Sequence, residues 1–141
     1  MQFPAITLLT AGVLALLFLL LSYRVIRQRL ATGASLGDGA GTVAMGEERN
    51  ASPLFVASRT QANFAEYVPL SLVLLLLLEL VGAPTWAVGT LAGMLVAGRL
   101  MHPIGMLRPA PNPFRAGGIL LQWLMLAAGA VYALLLGAMT G

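Results

Sequence analysis

Four long apolar stretches alternate along this chain with three connections of very different character. A bilayer core about 30 Å thick needs roughly 20 helical residues to cross it, and each stretch is long enough. The pattern predicts four membrane-spanning helices, over about 4–30, 53–81, 84–106 and 113–139. The connection over about 31–52 is of another kind. It holds Gly33, Gly37, Gly39, Gly41 and Gly46 with Asp38, Glu47 and Glu48, and reads as a solvated loop. Ser52-Pro53 has the form of an N-cap followed by proline in the first turn, and Asn112-Pro113 marks the start of the fourth helix. Inside the second helix, Pro69 removes a donor and meets the carbonyl of Ala65, which predicts a kink. Gly89, Gly93 and Ala97 form a small-residue stripe on the third, of the kind that lets two helices approach closely.

Composition narrows this to an all-α membrane protein built as one four-helix bundle. Of 141 residues, 59% are hydrophobic and only 9% charged, too little charge to cover a soluble domain. Cysteine is absent, which excludes disulfides and thiolate nucleophiles. The cations are all arginine. Arg24, Arg27, Arg29, Arg49 and Arg59 gather around the first connection, and Arg99, Arg108 and Arg115 around the third. The middle connection, Val81 to Thr85, carries no charge. The positive-inside rule then orients the Arg-bearing loops toward the cytoplasm and both termini toward the outside. Basic residues follow the first apolar run rather than precede it, so that run reads as an uncleaved helix and not as a secretory signal. A net charge of +3 held near membrane depth, without aromatic interleaving, suits anionic lipid headgroups or a small anion and not nucleic acid.

The polar residues inside the spans carry the candidate chemistry. Arg59, Asn63 and Glu66 recur at spacings of four and three, so they share one face of the second helix. Arg99 and His102 share a face at the same end of the third. Arg115 falls in the first turn of the fourth helix, and Arg27 and Arg29 near the end of the first. All four helices thus deliver polar groups to one level. Two readings stay open: buried ion pairs that fix helix register, or a site for an anionic ligand, which the excess of Arg over acid favours. Glu79 reads as a carboxylate snorkelling to the outer interface, and Trp86 and Trp123 as packing or interface anchors. No second histidine accompanies His102, so no metal site is expected.

The run Arg59-Thr-Gln61-Ala-Asn63-Phe-Ala-Glu66-Tyr67-Val-Pro69 resembles the signature of the MAPEG superfamily, the membrane-associated proteins of eicosanoid and glutathione metabolism. Gly98-Arg99-Leu-Met-His102 is similar to the family's second block, and Arg27-Gln-Arg29 to the basic exit of its first helix. The likeness is to the small bacterial inner-membrane branch. It implies a homotrimer that binds glutathione between neighbouring subunits near the cytoplasmic face. It also implies a transferase or peroxidase acting on a lipophilic electrophile that arrives through the membrane lipid. By resemblance, Arg27, Arg59, Asn63, Glu66, Tyr67, Arg99 and His102 hold the tripeptide. Arg115 matches the arginine that stabilises the glutathione thiolate, with Arg108 as a rival for that alignment. Met106 stands where several family enzymes carry tyrosine, and Ala116 puts no hydroxyl beside Arg115. A non-catalytic protein binding glutathione, lipid or another small anion in the same pocket is the alternative. A small drug exporter would need an acid deep in the first helix, and 3–21 holds none.

Overall fold

The computed structural model describes residues 3–37 and 51–140. Of the predicted loop, the stretch with Asp38, Gly39, Gly41, Gly46, Glu47, Glu48 and Arg49 lies outside the described residues. Four helices make up the rest: α1 (Ala5–Thr32), α2 (Pro53–Leu80), α3 (Thr85–Met106) and α4 (Pro113–Thr140). Each is long and apolar enough to cross a membrane.

Local chemistry explains where these helices start and stop. The Ser52 hydroxyl accepts from the Phe55 N–H at 3.1 Å, with Pro53 in the first turn where a missing donor costs nothing. At the far end of α2, Gly82 adopts φ +83°, its N–H bonds the Glu79 carbonyl, and the Ala83 N–H reaches back to Leu78 at 3.0 Å. That pair of bonds is a Schellman cap. Only glycine enters its left-handed position without strain, and Pro84 then opens α3. Helix α1 runs on to Thr32 and stops at Gly33, again left-handed. Helix α2 passes Pro69 without ending, so the proline expected to kink it does not divide it.

The distribution of side chains is that of a bundle whose solvent is lipid. Leu8, Leu9, Leu16, Leu19, Leu30, Leu70, Trp86, Trp123 and Leu134 point outward, whereas Ser71, Glu79, Arg99, His102 and Gln122 are buried. Hydrocarbon cannot satisfy a polar group, so polar side chains turn toward one another. Gln122 Nε2 donates to Ser71 Oγ at 2.7 Å, and Ser71 Oγ donates to the Tyr67 carbonyl, tying α4 to α2. Gln61 Nε2 donates to Ser22 Oγ at 2.9 Å, tying α2 to α1. Between these ties lies a core of Leu14, Leu21, Phe64, Leu75, Val88, Leu95 and Met125.

One expectation needs correction. Glu79 does not snorkel. It is 7% exposed, and its carboxylate accepts from the backbone N–H groups of Ile6 and Thr7 at 2.9 and 2.8 Å. The reason is that α1 begins after Pro4 with no side-chain cap of its own, leaving first-turn donors that a carboxylate satisfies well. The stripe Gly89, Gly93, Ala97 lies on the outside of the single chain and is not where its own helices meet. A β-carbon at Gly89 or Gly93 would enter open space, and Ala97 is exposed. Close approach instead occurs between α3 and α4, where a β-carbon at Gly98 would sit 2.9 Å from the Gly118 carbonyl. One at Gly118 would sit 2.7 Å from the His102 nitrogen. Spacing alone identifies a smooth face but not which neighbour lies against it.

Candidate functional site

At the Arg-bearing end, the exit of α1, the start of α2, the end of α3 and the start of α4 surround a concavity of about 750 Å³. Its cationic lining is Arg24, Arg59, Arg108 and Arg115, joined by Gln28, Asn63 and His102. Phe55, Val56, Met106, Leu107 and Ile119 supply apolar wall. No carboxylate is among its described lining residues.

Each helix places its contribution for a local reason. Asn112 Oδ1 accepts from the Arg115 N–H at 2.9 Å, an N-cap that sets Arg115 in the first turn of α4. The same side chain donates through Nδ2 to the Gly105 carbonyl at 3.0 Å and to the Pro109 carbonyl at 3.1 Å. One residue therefore fastens the start of α4 to the end of α3. Gly105 brings the two backbones so close that a β-carbon there would overlap Arg115. Arg108, in the connection between them, lies over the Phe114 ring at 4.2 Å, a cation–π contact. Both rivals for the thiolate-stabilising position thus reach the same concavity.

Behind this wall lies Arg99. It is 1% exposed, and its Nη1 donates to Asn63 Oδ1 at 3.0 Å and to the Asn63 carbonyl at 3.4 Å. Its guanidinium also lies 5.8 Å from the centre of the Tyr67 ring. His102, one turn along α3, is buried and reaches the concavity.

Of the residues singled out from the sequence, Arg59, Asn63, His102 and Arg115 line this space. Arg99 and Tyr67 stand behind Asn63. Arg27 and Glu66 do not line it, and both are exposed on the single chain. A buried Arg59–Glu66 ion pair is not what braces the bundle, because Arg59 too is exposed. Helix α1 contributes Arg24 and Gln28 instead of Arg27. Their four-residue spacing, which puts them on one helical face, was the available signal. It was masked by the denser cluster Arg27-Gln28-Arg29.

A sequence model of the MAPEG family matches residues 7–135. Two curated relatives share 37% identity over 100 residues, 71% of this chain and 69% of theirs. They are the inner membrane protein YecN of Escherichia coli strain K12 and that of E. coli O6:H1 strain CFT073. No solved structure gives a significant match.

Proposed function

The chain belongs to the MAPEG family, and from that premise we propose a glutathione-dependent transferase or peroxidase acting on a lipophilic electrophile in a bacterial inner membrane. The observation that carries this reading is the concavity itself, which gathers four arginines and no described carboxylate at one end of the bundle. A tripeptide with two carboxylates and a thiol suits such a lining. Guanidinium groups bind carboxylates through paired donors, and a fixed cation favours the thiolate over the thiol. Arg115 is the candidate for that second task, and the electrophile reaches the sulfur from the bilayer. The expected assembly is a homotrimer with both termini periplasmic, in which Arg27 and Glu66 act on a ligand shared with a neighbouring subunit.

The non-catalytic alternative keeps a specific observation in its favour. Met106 lines the concavity at the position where several family enzymes carry tyrosine, so one hydroxyl donor is missing.

Titration of detergent-purified protein with glutathione and its S-alkyl conjugates tests binding. Asn63→Ala is the variant to use, and because Asn63 Oδ1 is the side-chain partner of the buried Arg99, folding is measured beside affinity. Binding by the wild type that weakens in a folded Asn63→Ala protein supports the site; unchanged affinity removes it. Mass measurement in mild detergent tests the trimer, and monomers or dimers would end the intersubunit reading.

A further inference from the structure

Asn63 has two faces, and Arg99 decides which of them the concavity receives. A guanidinium only donates, so the Asn63 atom 3.0 Å from Arg99 Nη1 must be the carbonyl oxygen Oδ1. The second contact, from the same Nη1 to the Asn63 main-chain carbonyl at 3.4 Å, holds the guanidinium against this one residue. With Oδ1 turned inward, the Nδ2 amide group is left as the polar end of a side chain that lines the concavity. Arg99 itself is not part of that lining and is almost fully enclosed. Its neighbours here are an amide, a main-chain carbonyl and the Tyr67 ring, and among the described residues no acid pairs with it. A buried cation without an acid partner is costly in a membrane bundle, and such residues are retained for a role.

We infer that Arg99 is a positioning residue which locks the Asn63 amide so that Nδ2 faces the ligand as a donor. This deepens the proposed anion site and rests on it. The consequence is a wall made selective by subtraction. Arg24, Arg59, Arg108 and Arg115 can only donate, and Arg99 removes the acceptor that Asn63 would otherwise offer. These groups suit carboxylates and carbonyls, and leave Gln28 and His102 as the side chains of the lining able to accept from a ligand's ammonium or N–H groups.

A double-mutant cycle on the full-length protein, read as glutathione affinity by titration, separates positioning from direct contact. Asn63→Ala is expected to weaken binding roughly ten- to a hundredfold, the loss of a donor to a charged acceptor. Arg99→Met, which keeps bulk but cannot donate, is expected to weaken it roughly three- to tenfold. Adding Arg99→Met to Asn63→Ala should then change nothing further. Additive losses would mean that Arg99 touches the ligand itself, and would overturn the inference while leaving the site intact. Asn63→Asp covers the case in which Arg99→Met does not fold. It keeps a partner for Arg99 but turns an oxygen toward the concavity, so affinity should fall below that of Asn63→Ala. Asn63→Asp binding at wild-type strength would also overturn the inference. A wild type that binds neither glutathione nor S-hexylglutathione brings down the site reading, and the positioning role with it.

Discussion

Gly105 on α3 lies against the backbone of Arg115 on α4 so closely that no β-carbon fits between them. The N-cap of α4 is held at the same point, by Asn112 bonding both the Arg115 N–H and the Gly105 carbonyl. The position of Arg115 is therefore set by a helix crossing and a cap rather than by the side chain's own reach. Gly105→Ala should lower the thermal midpoint in detergent, since overpacking typically costs about 1–3 kcal/mol. It should also slow reaction with a test electrophile by displacing Arg115. Ala at the open Gly93 should do neither, and equal effects at the two sites would contradict the crossing geometry.

Arg115 and Arg108 share the concavity, so turnover has to distinguish them. Arg115→Ala is expected to spare folding and most glutathione affinity while slowing reaction with a test electrophile. Loss of one preorganised charge-stabilising donor costs about 10²–10³ in rate. Arg115→Lys should recover part of this, because a flexible ammonium lacks the planar fork. If Arg108→Ala carries the loss instead, the roles are exchanged. A wild type that binds without turnover points to the non-catalytic protein.

Glu79 and the first turn of α1 form a tertiary cap, with both carboxylate oxygens on backbone donors. Glu79→Ala should destabilise by about 1–3 kcal/mol, since it leaves those donors unsatisfied in an enclosed site. Glu79→Gln retains one acceptor and should lose less. Thermal unfolding of the detergent-solubilised protein would show this order, and an unaffected midpoint in Glu79→Ala would remove the cap from the account of α1.

The Gln122–Ser71 pair makes a prediction of opposite sign for single and double changes. Ser71→Ala alone strands the Gln122 amide inside the bundle and should cost about 1–3 kcal/mol. Adding Gln122→Leu should restore much of that loss, because hydrocarbon is the favoured neighbour once both polar groups are gone. Thermal midpoints of the two variants, compared with wild type, check it.

Orientation can be read with reporter fusions. Those after Gly41 and Pro111 should report cytoplasm, and those after Gly82 and Gly141 periplasm. A cytoplasmic C-terminus would defeat the charge argument.

The number, order and limits of the helices were legible from the chain because membrane spans are governed by local rules. Length and hydropathy define a span, and the caps at Ser52 and Gly82 close it through bonds reaching only a few residues. The level at which polar groups gather was legible for the same reason, since helical period and loop charge are both local. What only the tertiary structure decided is which of those groups meet. Arg24 and not Arg27 enters the concavity, and Arg99 spends its donor on Asn63 rather than on an acid. Glu79 reaches across 72 residues to cap Thr7, and Gly98, Gly105 and Gly118 form the close crossing in place of the more regular stripe at Gly89, Gly93 and Ala97. Each of these depends on how a helix is rotated about its axis. Rotation is set by the summed packing of all its neighbours, and a single helix's periodicity does not contain it.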